Sequence, residues 1–416
     1  MHFKTLTISQ WQQFQQVEID FHDRLTILTG ANGCGKTTIL NLLAKHQGGW
    51  GIPLLATPKE DRVTGIIKWV SRMFKGEDKS NETSIGSLAY ANGQTSPLTI
   101  PQSAGATYEI SISRQQGGVH CFFIPSHRQV FRYQQVSSIP TAKKDRASAF
   151  NETYNSMRNR YMGGHEQPSS YYMKSTLIGW IIHGFGVKRG EKAVMPPDVE
   201  QVRHFEGFEN VLRQLLPKSL GFEELEVRNM EIVFVCNGGK DEFVLETCSG
   251  GISTLIDIAW QIYMFSTKEH DEFTVLVDEV ENHLHPTLQR RILPDLLNAF
   301  PNARFVVSTH SPLIVSSVRD SFVYALRYDA ENKIQTVRLD LHNNPKTAAE
   351  ILDEVLGVSF TMPIWVEERL VEISKKFAAM PPDADYFKKL RDELESTGMG
   401  RLLPTAMASV LDQRHD

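Results

Sequence analysis

The chain has 416 residues, a formal net charge of -5 at pH 7, and 41% hydrophobic against 22% charged residues. That length fits one large head with insertions or two domains, and the composition is that of a soluble globular protein. The mild acidity excludes a global attraction to nucleic acid, although a local basic surface stays open. Four cysteines, Cys34, Cys121, Cys236 and Cys248, form no CxxC pair. A disulfide framework or zinc site is therefore not expected, and a reducing compartment is. The start, MHFKTLTISQW, lacks the apolar core of a signal peptide, and the longest apolar stretch, near Leu177 to Ile182, is too short to span a bilayer. The expectation is a cytoplasmic protein without a membrane partner.

In chain order, Arg24 to Thr29 reads as a short buried strand ended by Gly30, and Thr38 to Lys45 as the helix after a glycine turn. Residues 48–106 are rich in Gly, Ser, Asn, Thr and Pro, with one helical patch in which Ile66, Trp69, Val70 and Met73 share a face. Thr107 to Ser113 and Val119 to Ile124 flank Gly117 and Gly118 and read as a hairpin. The pattern then turns polar and helical, and Asp198 is expected to cap a helix with Val202, Phe205, Val211, Leu212 and Leu215 on its apolar side. Lys143, Lys144, Arg146, Arg158 and Arg160 make this stretch locally basic; it reads as solvated surface, with a nucleic-acid contact as the alternative. Strand signals return at Leu225 to Val227, Ile232 to Val235 and Glu242 to Leu245. In the tail, Asn344-Pro345 marks a helix start and Gly357 its stop, with further helices near Trp365 to Phe377 and Tyr386 to Leu394.

Four segments carry chemistry. Gly30-Ala-Asn32-Gly33-Cys34-Gly35-Lys36-Thr37 fits G-x-x-x-x-G-K-[ST] at every fixed position. Its glycines let backbone N–H groups approach phosphate, and the helix that follows aims its positive end at the same anion. Lys36 is expected on the β- and γ-phosphates and Thr37 on Mg²⁺, with Thr38 in the nucleotide-binding first turn. Phe273 to Val277 reads as an apolar parallel strand ending in Asp278 and Glu279. Asp278 would support the Mg²⁺ shell, and Glu279 would polarise the attacking water. Cys248-Ser249-Gly250-Gly251-Ile252 opens a helical run; a hydroxyl and free N–H groups there suit an anion, and in isolation the segment reads equally as a plain N-cap. Arg304 to Ser308 is another apolar strand, leading to His310, which could reach a γ-phosphate or the attacking water.

Together these segments resemble the ABC-type ATPase heads of the SMC and OLD-like superfamily. Gly30 to Thr37 match the Walker A loop, Cys248 to Ile252 the signature loop with cysteine for the usual leucine, Asp278 and Glu279 Walker B, and His310 the switch histidine. Glu281-Asn-His-Leu-His-Pro286 and Ser308-Thr-His-Ser-Pro312 are similar to single-chain bacterial ATPases, many from anti-phage defence systems. The Q-loop glutamine is assigned to Gln129, as a nucleotide and Mg²⁺ contact, with Arg128 or Gln134 and Gln135 as competitors. The resemblance implies an α/β fold: a P-loop mixed sheet with an antiparallel lobe, a helical insertion and a helical C-terminal tail. The expected segments are 1–127 with Walker A, 128–220 helical, 221–343 with signature, Walker B and switch histidine, and 344–416 helical. It also implies ATP and Mg²⁺ as ligands, and a homodimer or higher homo-oligomer closed through ATP, with Lys36 of one subunit and Ser249 of the other on the same γ-phosphate.

Two nuclease spellings read as structural. Asp383-Ala-Asp385 follows Met380-Pro-Pro rather than an apolar strand, and His342-Asn-Asn344 looks like a turn and helix cap. No heptad run supports a coiled coil. The leading expectation is an ATP-switched dimer gating a separate effector such as a nuclease. The rivals are a DNA-maintenance ATPase that clamps duplex DNA and an ATP-binding scaffold with little turnover.

Overall fold

The computed structural model describes residues 1–48, 51, 54–60, 67–70, 82–101, 106–112, 118–128, 130–138, 140–267, 271–343, 346–354, 363–381 and 385–415. They form two compact units, Met1–Ala348 and Ala349–Asp416. The first is built on one eleven-stranded sheet. From edge to edge its strands are Ser111–Ile112, Thr95–Pro101, Glu82–Tyr90, Phe3–Trp11, Phe14–Asp20, Ile334–Leu339, Phe322–Tyr328, Leu25–Gly30, Ala303–Ser308, Phe273–Val277 and Cys121–Ile124.

The sheet has two characters, and the sequence accounts for both. The last five strands run parallel. Leu25–Gly30, Phe273–Val277 and Cys121–Ile124 are buried at every residue, as parallel strands covered on both faces must be. The first five pair antiparallel. There burial alternates, as in Phe14–Asp20, where Phe14, Val17 and Ile19 point inward. Ile334–Leu339 joins the halves, parallel to Phe14–Asp20 and antiparallel to Phe322–Tyr328. Between the Walker A strand Leu25–Gly30 and the Walker B strand Phe273–Val277 lies Ala303–Ser308, so three parallel strands deliver their C-terminal ends to one place. This is an α/β P-loop head with an antiparallel lobe and a helical insertion.

The helix Lys36–Ala44 packs over the parallel strands, burying Ile39, Leu40, Leu42 and Leu43. The insertion contributes helices Arg146–Tyr161, Ser169–Phe185 and Val199–Leu215, which pack with Gly250–Phe265. Trp260 joins them, stacked on Trp180 at 5.9 Å and edge-on to Phe208 at 5.0 Å. Phe122 of the edge strand meets Phe265 and Phe150 at 4.7 and 5.3 Å, tying the helices to the sheet. The Asp198 side chain accepts from the N–H groups of Glu200 and Gln201, as expected of an N-cap, and Phe205, Val211, Leu212 and Leu215 are buried. Val187–Arg189 and Lys192–Met195 add a small hairpin to this insertion. Phe222–Arg228, Glu231–Cys236 and Asp241–Val244 form a separate antiparallel sheet, the first turn made by Asn229 and Met230 with φ of 50° and 60°. No described helix is long and apolar enough to cross a membrane.

Three local expectations fail. Ile67–Val70 is a strand paired with Thr57–Glu60, not part of a helical patch; Ile66 and Met73 lie outside the described residues. A run of Ile, Trp and Val favours an extended chain once a partner strand is at hand. The expected hairpin across Gly117 and Gly118 is absent among the described residues, and Gly117 lies outside them. Instead Thr107–Tyr108 pairs with Leu54–Leu55, Ser111–Ile112 with Thr95–Pro101, and Cys121–Ile124 runs parallel to the Walker B strand. Four consecutive buried residues, Cys-Phe-Phe-Ile, mark a parallel strand rather than an alternating hairpin arm. The Gly- and Ser-rich stretch also contains two long strands, Glu82–Tyr90 and Thr95–Pro101, that reading it by composition misses.

In the second unit, helices Ile364–Ala378, Tyr386–Ser396 and Leu403–His415 enclose Leu370, Ile373, Phe377, Leu390, Leu394 and Val410. Asn344, Pro345, Gly357 and Asp383 lie outside the described residues. Asp385 is the N-cap residue of its helix, its carbonyl accepting from the Lys389 N–H at 2.9 Å.

Candidate ATP-binding site

The glycine loop takes the shape that its glycines permit. Gly30, Gly33 and Gly35 have φ of 137°, 80° and 86°. A Cβ on Gly30 would lie 2.3 Å from the Leu326 carbonyl oxygen, and one on Gly35 2.3 Å from the Phe14 ring. Lys36 is only 5% exposed. Its ammonium donates to the carbonyl oxygens of Gly30 and Ala31, each at 3.0 Å, and lies 3.6 Å from Cys34 Sγ. The loop is thus wrapped around a cation. Asn32 and Gly33 are exposed at its mouth, and Thr38 is half-buried in the first helical turn. Gly35→Ala should destabilise this head by on the order of 1–3 kcal/mol, because the backbone is left-handed and the Phe14 ring, stacked on Trp11 at 5.6 Å, has to move. Thermal unfolding measures it; an unchanged melting temperature would show that the loop relaxes without strain.

The Walker B acids meet this loop from the adjacent strand ends. Thr37 Oγ1 donates to Asp278 Oδ2 at 2.8 Å, and Ser308 Oγ donates to Asp278 Oδ1. Asp278 is 2% exposed; burial pushes its carboxyl pKa up, while the hydroxyls of Ser308 and Thr37 and the charge of Lys36 pull it back. A hydroxyl and a carboxylate side by side form an oxygen donor set suited to Mg²⁺, so the expected ion fits these residues. Glu279 is half-buried with φ of 45°. Its N–H donates to Ser308 Oγ at 2.8 Å, and its Oε2 accepts from Asn282 Nδ2 at 2.8 Å. The His310 N–H donates to Glu281 Oε1 at 2.5 Å. Burial and the Lys36 charge hold the His310 imidazole pKa below its ordinary value, against the pull of Glu281, Glu279 and Asp278, which favours a neutral ring at pH 7.

Of the residues singled out in the sequence, Lys36, Thr37, Asp278, Glu279 and His310 therefore converge. Ser249 is exposed at the N-cap of Gly250–Phe265, and its side chain makes no cap bond to its own helix. Gly250 is exposed beside it, and Gly251 passes close to the His283 carbonyl, which a Cβ would approach to 3.2 Å. The turn before Cys248, Leu245–Thr247, is anchored by Lys174, which is fully buried and bridges Glu231 and Glu246 at 2.6 Å each. Gln129 lies outside the described residues, while Gln134 is half-buried and Gln135 exposed.

Its neighbour Arg128 is buried, and its guanidinium donates to the carbonyl oxygens of Asp278, Glu279 and Asn282. Burial lowers the Arg128 pKa to about 10, so it stays charged, and raises that of the buried Asp257 to about 6. Ser308, Asn282 and Arg128 hold the site without having been assigned these contacts from the sequence. Of the five basic residues singled out between 143 and 160, four have partners within the chain: Lys143 bonds Asp198, Lys144 bonds Glu152, Arg146 bonds the Tyr263 and Ser266 carbonyls, and Arg160 bonds that of Glu166.

Comparison with known proteins finds ATPase families over parts of the chain. The family described as "AAA domain, putative AbiEii toxin, Type IV TA system" matches residues 173–316, and that described as "AAA domain" matches residues 5–44. The chain carries a P-loop ATPase head. Over 192 residues, 44% of this chain, it is 25% identical to "Retron Ec83 probable ATPase" of Escherichia coli; the match spans 30% of that protein, less than a third of its length. Over 390 residues it is 26% identical to "Septu protein PtuA" of Bacillus thuringiensis, covering 89% of this chain and 88% of the relative. Among solved structures, an Smc head bound to the C-winged helix domain of ScpA aligns with a TM-score of 0.45 at 14% identity, covering 82% of this chain and 99% of that one.

Proposed function

We propose that this protein hydrolyses ATP and works as a nucleotide-switched dimer that gates a separate effector chain in cytoplasmic anti-phage defence. The observation that carries the catalytic part is the 2.8 Å bond between Thr37 and Asp278, which joins the Walker A and Walker B elements at one point beside Lys36. Lys36 binds the β- and γ-phosphates. Thr37 and Asp278 hold Mg²⁺, which supplies charge neutralisation when bound. Glu279, oriented by Asn282, accepts a proton from the attacking water, and His310 lies at the neighbouring strand end to hydrogen-bond the γ-phosphate or that water. The exposed Ser249 and Gly250 are available to a second subunit, which supports the dimer. The similarity to a retron ATPase and to a Septu protein supports the defence role. The internal partners of Lys143, Lys144, Arg146 and Arg160 favour effector gating over a DNA clamp at that stretch.

The same preparation tests turnover and cutting together. It should release phosphate from ATP in a Mg²⁺-dependent manner and leave DNA and RNA intact. Two local structures support the second half: His342 and Asn343 lie in a turn of the first unit where Asn343 bonds Asp340, and Asp385 opens a helix of the second. Turnover too slow to detect would leave only an ATP-binding scaffold. Metal-dependent cleavage lost in Asp385→Ala but kept in Lys36→Ala would place a nuclease in the tail.

A further inference from the structure

The turn that carries Glu279 is strained and is held from outside itself. Glu279 has φ of 45° and His283 65°, values that non-glycine residues seldom adopt. The segment leaving the edge strand Cys121–Ile124 stitches this turn down. Asn282 Nδ2 donates to the Ser126 carbonyl oxygen at 3.1 Å. Arg128 Nη1 donates to the Asn282 carbonyl oxygen at 3.2 Å, and Nη2 to those of Asp278 and Glu279 at 3.2 and 3.1 Å. One planar guanidinium thus spans three carbonyls of a five-residue turn, a task for which a lysine ammonium, as a point charge, has the wrong shape.

The other side of Arg128 is unused. Its Nε is buried without a hydrogen-bond partner. Arg128 lines a small cavity with Pro125, Thr153, Ser169, Asp257 and Gln261. Asp257 belongs to Gly250–Phe265, the helix whose first turn presents Ser249, and its carboxylate accepts from Gln261 Nε2 at 2.8 Å. A buried anion of the signature helix therefore shares a cavity with the buried cation that holds the Walker B turn.

We infer that Arg128 is a positioning residue for the catalytic base, and that Asp257 couples it to the signature helix. The inference rests on the ATPase reading. Glu279 keeps its aim because Arg128 fixes the backbone on either side of it, and a shift of the signature helix reaches Glu279 through the Asp257–Arg128 pair. The hydrogen bonds of Arg128 and Asp257 go to the Walker B turn and to Gln261 rather than to the glycine loop, so both should act on kcat and not on ATP affinity.

The test uses the full chain, with steady-state ATP turnover and calorimetric titration of ATP on wild type, Arg128→Lys, Asp257→Asn and the double variant. Arg128→Lys should lower kcat by about tenfold to a hundredfold with the ATP dissociation constant within about twofold of wild type. Asp257→Asn should lower kcat in the same sense. The double variant should be no slower than Arg128→Lys alone, because the two act in series on one turn. Unchanged kcat in Arg128→Lys, or equal losses of affinity and kcat, overturns the positioning role; additive losses in the double variant overturn the coupling. If Arg128→Lys fails to fold, Asp257→Asn decides, and its unchanged kcat overturns the inference. If wild type turns over no faster than Lys36→Ala, the ATPase reading and this inference fall together, an outcome distinct from turnover that ignores Arg128.

Discussion

Lys36→Ala is expected to abolish ATP binding while leaving a folded head. The Lys36 ammonium stands at the centre of the glycine loop, donating to the Gly30 and Ala31 carbonyl oxygens. An incoming phosphate takes over these donors, and no other described side chain places a cation inside this loop. Losing a charge-assisted contact of this kind corresponds to on the order of 3 kcal/mol, roughly a hundredfold or more in Kd. The cost to the fold is smaller. Two carbonyls lose a donor at the edge of the loop, worth about 1–3 kcal/mol, while the core strand Leu25–Gly30 and the apolar face of Lys36–Ala44 are untouched. Calorimetry with ATP and Mg²⁺, beside circular dichroism, reads both quantities. Near-normal affinity in a folded variant would remove the phosphate site from this loop.

Glu279→Gln should trap an ATP-bound dimer, and Ser249→Arg should prevent its formation. Glutamine keeps an oxygen that can accept from Asn282, so the turn survives, but it cannot take a proton from water. Turnover should fall by about 10²–10⁴-fold, and the closed state should persist. Lys36 and Thr37 hold phosphates from one side only. If Ser249 of a second subunit supplies the other side, two ATP molecules close a two-fold assembly. Arginine at 249 places a long side chain where that phosphate has to lie, yet leaves Lys36 free to bind ATP. Light scattering on size-exclusion fractions, with and without ATP and Mg²⁺, separates the two variants, and a distance probe between heads guards against a constitutive dimer through the tail. No ATP-dependent gain in mass or closure for Glu279→Gln, or an equal gain for Ser249→Arg, would sink the switch.

What the sequence disclosed follows from how each contact is encoded. The Walker A loop was legible because glycine spacing and an adjacent buried strand are local features. Asp278 and Glu279 were legible because an apolar run ended in two acids. Cys121–Ile124 was misassigned because its partner strand, Phe273–Val277, lies about 150 residues away in sequence and no local pattern names it. Glu82–Tyr90 escaped because its Ser, Gly and Thr content reads as loop, although Ile85, Leu88 and Tyr90 are buried. Ser308 and Asn282 went unassigned, and Arg128 entered only as a competitor for the Q-loop position, for a different reason. Arg128 acts through backbone carbonyls, and Ser308 and Asn282 each divide their bonds between an acid and a backbone group; a carbonyl or N–H partner leaves no trace in residue type.

The neighbours of the Walker A strand also bear on how the molecule is made. Leu25–Gly30 lies between Ala303–Ser308 and Phe322–Tyr328, and both of its edges stay open until those segments exist. During synthesis the phosphate-binding strand emerges before both of its neighbours, Ala303–Ser308 and Phe322–Tyr328, and cannot be completed until they follow. Pairings of such sequence separation close slowly, and an apolar strand with two bare edges is a template for wrong partners in the meantime. A nascent chain halted before residue 303 should therefore expose Leu25–Gly30 to aggregation or to a chaperone. The ATPase centre then forms as one of the last events of folding rather than as an early folded module.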